Sequence, residues 1–124
     1  MSNDTTLAVV IVEDSIFFAD LTLRILKRSG FNTNHRVVST RTALQTALKD
    51  GQWDIILSDN VMPNFNALGA LELRNSICSH TPFVIISEDI SQKELKEAFD
   101  KGCSTYLSKD RIGELPALLK RMLQ

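Results

Sequence analysis

The sequence predicts an α/β fold: a doubly wound parallel sheet of five strands with five helices. Three observations carry this expectation. Short apolar runs alternate with longer segments of helical periodicity, five times over. The first run, Leu7-Ala8-Val9-Val10-Ile11-Val12, is continuously apolar, the pattern of a strand buried on both faces. Charged or hydroxyl side chains stand at the ends of the runs, at the edge where open α/β sheets bind ligands.

Each element follows from local chemistry. Residues 7–12 form the first strand. A helix over 15–29 carries Phe17, Phe18, Leu21, Ile25 and Leu26 at helical spacing, and Gly30 supplies its stop. Residues 35–39 form a short second strand. Thr40 is placed to cap a second helix with Ala43, Leu44, Ala47 and Leu48 on its inner face, ended by Gly51. Residues 54–58 form the third strand and lead into Asp59. The segment Asn60 to Asn66 reads as a loop, with Pro63 and asparagines as turn formers. A third helix runs from Leu68 to Cys78. Phe83-Val84-Ile85-Ile86 is the fourth strand and ends at Ser87. Ser91-Gln92-Lys93-Glu94 fits a capping box, opening a helix that faces Leu95, Ala98 and Phe99 inward and ends at Gly102. Thr105-Tyr106-Leu107 is the fifth strand. A last helix over 112–123 bears the stripe Leu115, Leu118, Leu119 and Met122. Right-handed crossovers leave few ways to order five such strands, and the flavodoxin-like order 2-1-3-4-5 is expected.

Bulk properties narrow the function classes. At 124 residues the chain is one domain, able to bury a sizeable core. A net charge of −1 argues against broad nucleic-acid binding. No run approaches the ~18 apolar residues of a membrane span, and the polar start Met1 to Thr6 lacks the layout of a signal peptide. A cytoplasmic location is expected. Cys78 and Cys103 read as small buried thiols, and His35 and His80 are too isolated to be metal ligands. Trp53 reads as a packing residue.

The strand ends carry the chemistry. Glu13 and Asp14 follow the first strand, Asp59 the third, Ser87 the fourth and Lys109 the fifth. Strands one and three are neighbours in the expected order, which gathers the three acids. Two like charges ~5 Å apart repel by roughly 3 kcal/mol at an effective dielectric of ~20, so the group calls for a proton or a divalent cation. Hard oxygen donors favour Mg2+, which usually shares its site with phosphate. Lys109 suits a carboxylate or a phosphoryl oxygen. A single acid after a strand more often caps the next helix, but several polar types at four strand ends point to phosphoryl chemistry instead.

With these residues in place, the chain resembles the receiver domain of two-component response regulators, the family of the chemotaxis response regulator. The matching features are Glu13-Asp14, the Asp59-x-x-Met62-Pro63 segment, Ser87, Tyr106 and Lys109. The resemblance covers the chain from Leu7 to the last helix, and residues 1–124 are expected to form one receiver domain. It implies that Asp59 is the phosphoacceptor, attacking a phosphohistidine held by a sensor histidine kinase or a histidine phosphotransfer protein. It implies Mg2+ ligation by Asp14, Asp59 and the Val61 carbonyl, with Glu13 close by or acting through water. Lys109 balances charge on the transferred group and Ser87 hydrogen-bonds it. Movement of Ser87 and Tyr106 then remodels the face of helix four, strand five and helix five, where a dimer partner or downstream domain would engage. The expected protein is a phosphoacceptor rather than an enzyme. Val61 offers no polar atom to orient a hydrolytic water, so any self-dephosphorylation is slow.

The chain departs from the family pattern at Glu88 and Asp89, where a small residue usually follows the hydroxyl. It departs again at Asp110, where proline is common, and at Ala67, where glycine is common. One alternative is a degenerate receiver that acts only as a protein-docking module. Another is an aspartate-nucleophile phosphatase, which needs a second acid two residues after the nucleophile, where Val61 stands.

Overall fold

The computed structural model describes residues 6–124. The polar start read as lacking a signal-peptide layout lies, apart from Thr6, outside the described residues. The elements are β1 (Thr6–Val12), α1 (Ile16–Arg28), β2 (Asn32–Val38), α2 (Arg41–Asp50), β3 (Ile55–Ser58), α3 (Ala67–Ile77), β4 (Phe83–Ile86), α4 (Gln92–Asp100), β5 (Thr105–Leu107) and α5 (Leu115–Met122). All five strands are parallel, in the order β2-β1-β3-β4-β5. This is the flavodoxin-like 2-1-3-4-5 arrangement expected from the sequence.

Alternation along the central strands divides the core in two. Val10 and Val12 of β1 pack with Ile56, Phe83 and Ile85 under α2, α3 and α4, joined by Leu44, Leu48, Leu71 and Ala98. Val9 and Ile11 face the other way, with Ile55, Leu57, Val84 and Ile86, under α1 and α5. Successive side chains of a strand point to opposite faces, so only a continuously apolar strand can serve both layers. The helix starts are capped by side chains, the expected Thr40 among them. Ser15 accepts from Phe18 N, Thr40 from Ala43 N and Asn66 from Gly69 N. Both bonds of the Ser91–Glu94 capping box form at α4.

Several details differ from the sequence-based expectations. The second strand, expected over 35–39, runs from Asn32 to Val38, because its pairing with β1 extends back to Thr6. The buried stripe of α1 runs through Ala19, Thr22 and Leu26, which turns Phe17 outward to 78% exposure. Thr22 buries at little cost because its hydroxyl donates to Phe18 O at 2.9 Å. In α4 only Ala98 is buried, and Phe99 stays half-exposed. The segment after Asp59 is a small antiparallel ribbon, Val61–Met62 against Phe65–Asn66, rather than a plain loop. Asn64 turns it at φ 58°, a left-handed conformation that asparagine tolerates well, so Ala67 is free to begin α3. The last helix is split: Lys109–Glu114 is a 3-10 helix kinked at Arg111, and regular α-helix begins at Leu115. Pro116 sits in the first turn of α5, where its missing N–H is harmless, but its ring disfavours extending the helix backward. Among the described residues every peptide bond is trans, the Lys109–Asp110 bond included.

Trp53 is the packing residue expected, its Nε1 donating to Ala47 O at 2.8 Å. Cys78 and Cys103 are free thiols; only Cys103 is fully buried. Phe83 is fully buried in the sheet centre, and its replacement by alanine should cost about 3–5 kcal/mol. Urea unfolding followed by Trp53 fluorescence measures this loss, and a change below about 1 kcal/mol would contradict the packing described.

Candidate functional site

The register of β1 and β3 builds the acidic corner. Val12 pairs with Ser58, so Glu13 and Asp59 both stand one residue beyond the last paired position. Asp59 N donates to Val12 O at 2.9 Å, which holds this register at the strand ends. Asp14 comes next along the chain. Carboxylate oxygens of Glu13, Asp14 and Asp59 lie within 4.8 Å of one another. On β4, Ile86 pairs with Leu107 of β5, which brings Ser87 and Lys109 to the same edge of the sheet.

Lys109 bridges the two buried acids. Its Nζ lies 2.9 Å from Glu13 Oε1 and 3.1 Å from Asp59 Oδ2. The Phe18 ring covers the ammonium, with its centroid 4.4 Å away. Burial alone would pull the lysine's pKa down, but the hydrogen bonds it donates to Glu13 and Asp59 outweigh that and hold the ammonium above its ordinary value. Burial pushes the Glu13 carboxyl up. Bonds from Lys109 and the Ser15 amide oppose that push, and the Asp59 charge adds to it. Glu13 is thus committed inward: Lys109 takes Oε1 and the Ser15 amide takes Oε2. Asp14 is exposed and turns toward solvent. Three carboxylates of this hardness, one of them open to water, form a donor set that fits a hard divalent cation.

The hydroxyl and the aromatic are joined through the backbone. Ser87 is buried, and its Oγ accepts from Asp89 N at 3.1 Å. Tyr106 is partly buried against the α2–α4 core layer, and its hydroxyl donates to Ser87 O at 2.9 Å. Glu88 is exposed. Val61 lies in the ribbon directly after the acidic corner, with its side chain half-exposed.

Glu13, Asp14, Asp59 and Lys109 therefore meet in one cluster, with Ser87 and Tyr106 linked to each other on the flanking strands. Asn60 is the residue that sequence reasoning missed. It reads as a turn former, yet it is buried, and its amide donates to Asp89 O at 2.9 Å. Its place directly after a strand-end acid was the available signal, since a buried side-chain amide needs polar partners.

Known proteins resemble this chain in sequence and in fold. The chain is 27% identical over 101 residues to transcription factor SKN7 of Saccharomyces cerevisiae, covering 82% of this chain and 16% of that protein. It is 29% identical over 107 residues to hybrid signal transduction histidine kinase G of Dictyostelium discoideum, covering 83% of this chain and 3% of that protein. The chain therefore spans only a small part of the curated relatives it matches. The receiver domain of a Pseudomonas aeruginosa sensor histidine kinase, solved with magnesium coordinated in its active-site cleft, shares the fold. It superposes with a TM-score of 0.80 at 18% identity, over 96% of this chain and 98% of that one. The response regulator receiver domain family matches residues 9–120, and the chain belongs to that family, the receiver domains of two-component signalling.

Proposed function

We propose that residues 1–124 form one phosphoacceptor domain, which takes a phosphoryl group onto Asp59 from a phosphohistidine on a partner protein. The observation that carries this reading is the Lys109 ammonium held between Glu13 and Asp59 beside a three-carboxylate cluster. In the transfer, an Asp59 carboxylate oxygen forms a bond to phosphorus while the phosphorus–nitrogen bond of the donor breaks. The departing imidazole keeps the electron pair and takes up a proton. Asp14 and Asp59, with the Val61 carbonyl, are the residues that would hold Mg2+, with Glu13 close by or acting through water. When bound, the ion supplies charge neutralisation for the phosphoryl oxygens. Lys109 adds a second positive charge to the same oxygens, and the Ser87 hydroxyl supplies a hydrogen bond. Chemistry of this kind asks the protein for positioning rather than for an acid or base of its own.

The relatives support the partner class, since one is a hybrid histidine kinase and a fold neighbour is a sensor kinase's receiver. A sensor histidine kinase or a histidine phosphotransfer protein is the donor we propose. Ile16 and Phe17, 84% and 78% exposed, flank the acidic corner two and three residues after Asp14 and offer it an apolar docking rim. Phosphorylation would then act through Ser87 and Tyr106 on the face of α4, β5 and α5, where a second copy or a downstream domain would bind. The meeting of Glu13, Asp14, Asp59 and Lys109 in one cluster favours phosphoacceptance over a docking-only module. No helix among the described residues is long and apolar enough to cross a membrane. A cytoplasmic setting suits a partner of this class.

Incubation with Mg2+ and a phosphohistidine donor should raise the intact mass by one phosphoryl group, and Asp59→Asn should abolish the gain. Chelation of Mg2+ should slow the reaction by at least about tenfold. Phosphorylation of Asp59→Asn at the parental rate would refute the assignment. Mg2+ at ten times its dissociation constant should add about 1.4 kcal/mol of stability, read as a rise in Tm. Val61→Asn places a polar side chain beside the acyl phosphate and should shorten its lifetime severalfold. Loss of radiolabel from the isolated phosphoprotein measures it, and an unchanged or longer lifetime would remove Val61 from the account of slow hydrolysis.

A further inference from the structure

Asn60 joins the proposed phosphoacceptor to the start of α4, and packing does not explain its amide. It is 4% exposed, in a place where an aliphatic side chain of similar size would fill the same space. Its backbone N–H donates to Asp59 Oδ1 at 2.7 Å. Its side chain reaches the other way. Nδ2 donates to Asp89 O at 2.9 Å and to Glu94 Oε2 at 3.4 Å. Both acceptors belong to moving parts of the proposed switch. Asp89 donates its own N–H to Ser87 Oγ, and Glu94 closes the capping box at the first turn of α4. Bonds from the Ser91 amide and from Asn60 hold the Glu94 carboxyl below its ordinary pKa, so it remains a charged acceptor.

We propose that Asn60 is a positioning residue that carries the phosphorylation signal from Asp59 to the β4–α4 loop and the first turn of α4. The inference rests on the phosphoacceptor reading of Asp59. A carboxylate oxygen that bonds to phosphorus becomes a weaker acceptor, while the phosphoryl group brings new acceptor oxygens and about −1.5 to −2 charges. The Asn60 N–H donates directly to the carboxylate that changes. Its side chain moves with its backbone, and the Asp89 and Glu94 bonds pass the displacement on. The loop is thereby gripped on two sides: by Asn60 from β3, and by Tyr106 from β5 through the Ser87 carbonyl.

The test compares hydrogen exchange with Mg2+ alone and with Mg2+ plus beryllium trifluoride, a phosphoryl mimic that adds to an aspartate carboxylate. In the parent, the mimic should change exchange of the amides from Glu88 to Lys96. Asn60→Leu fills the same space without the side-chain bonds. It should bind the mimic within about threefold of the parent, while the exchange response from Glu88 to Lys96 falls by about fivefold or more. An equal response in both proteins overturns the proposal and leaves the phosphoacceptor reading standing. Loss of mimic binding in the variant also overturns it, because Asn60 would then belong to the acceptor site itself. Failure of the parent to bind the mimic overturns both readings. A second measurement uses the parent alone: the Asn60 side-chain amide resonances should shift on mimic binding, and resonances that stay in place refute the coupling.

Discussion

Lys109 Nζ sits 2.9 Å from Glu13 and 3.1 Å from Asp59, and the burial of both carboxylates depends on it. An ionised acid taken out of water without a partner loses several kcal/mol, far more than a surface ion pair recovers. Here one ammonium serves two acids from two strands. The arrangement leaves a net negative corner, because Asp14 stands beside the pair with its carboxylate toward solvent. A structure built only for stability would balance this charge internally. The residual negative charge is what would make the corner receptive to a hard cation and, under the proposed function, to phosphate through that cation.

The sheet makes this charge cluster tolerable. Both faces of the central strands are sealed, one by α1 and α5 and the other by α2, α3 and α4. Among the described residues, the buried polar side chains other than Thr22 therefore lie at the carboxyl edge, where loops leave the sheet. The strand pairings continue as hydrogen bonds at that edge: Glu13 N to Val38 O, Asp59 N to Val12 O, and Ser87 N to Leu107 O. Glu13, Asp59 and Ser87 thus have their backbones anchored to a neighbouring strand. Such anchoring limits the motion available to the side chains and gives the site its preorganisation.

The elements of the proposed switch are tied less tightly than the acidic corner. The side chains of Tyr106 and Asn60 each reach the β4–α4 loop backbone through one hydrogen bond, to Ser87 O and Asp89 O. α4 buries only Ala98, so little apolar contact holds it in place. An element with few buried contacts shifts at low free-energy cost, which suits a signalling face. α3 buries four side chains on the same core layer and is the steadier neighbour.

Strand and helix identity was legible in the sequence because β1, β3 and β4 are continuously apolar and the helix starts carry Ser15, Thr40 and Ser91 as caps. The strand-end acids, the serine and the lysine were legible for the same reason: their positions follow from where the apolar runs stop. Helix phase was not. Phe17 and Phe99 look inward by composition, but each helix turns about 100° per residue, and the neighbouring Phe18 and Ala98 take the inner positions. Nor did the sequence alone reveal the role of Asn60, since a side-chain amide after a strand end is ordinary turn chemistry until a partner comes into reach. Local pattern determined the elements and the residue types at the sheet edge, because capping and side-chain alternation act within a few residues. Only tertiary structure decided that Lys109 pairs with both Glu13 and Asp59, and that Asn60 reaches α4. Those contacts join residues about 30 to 100 positions apart in the chain, which only the parallel strand order brings within hydrogen-bond range.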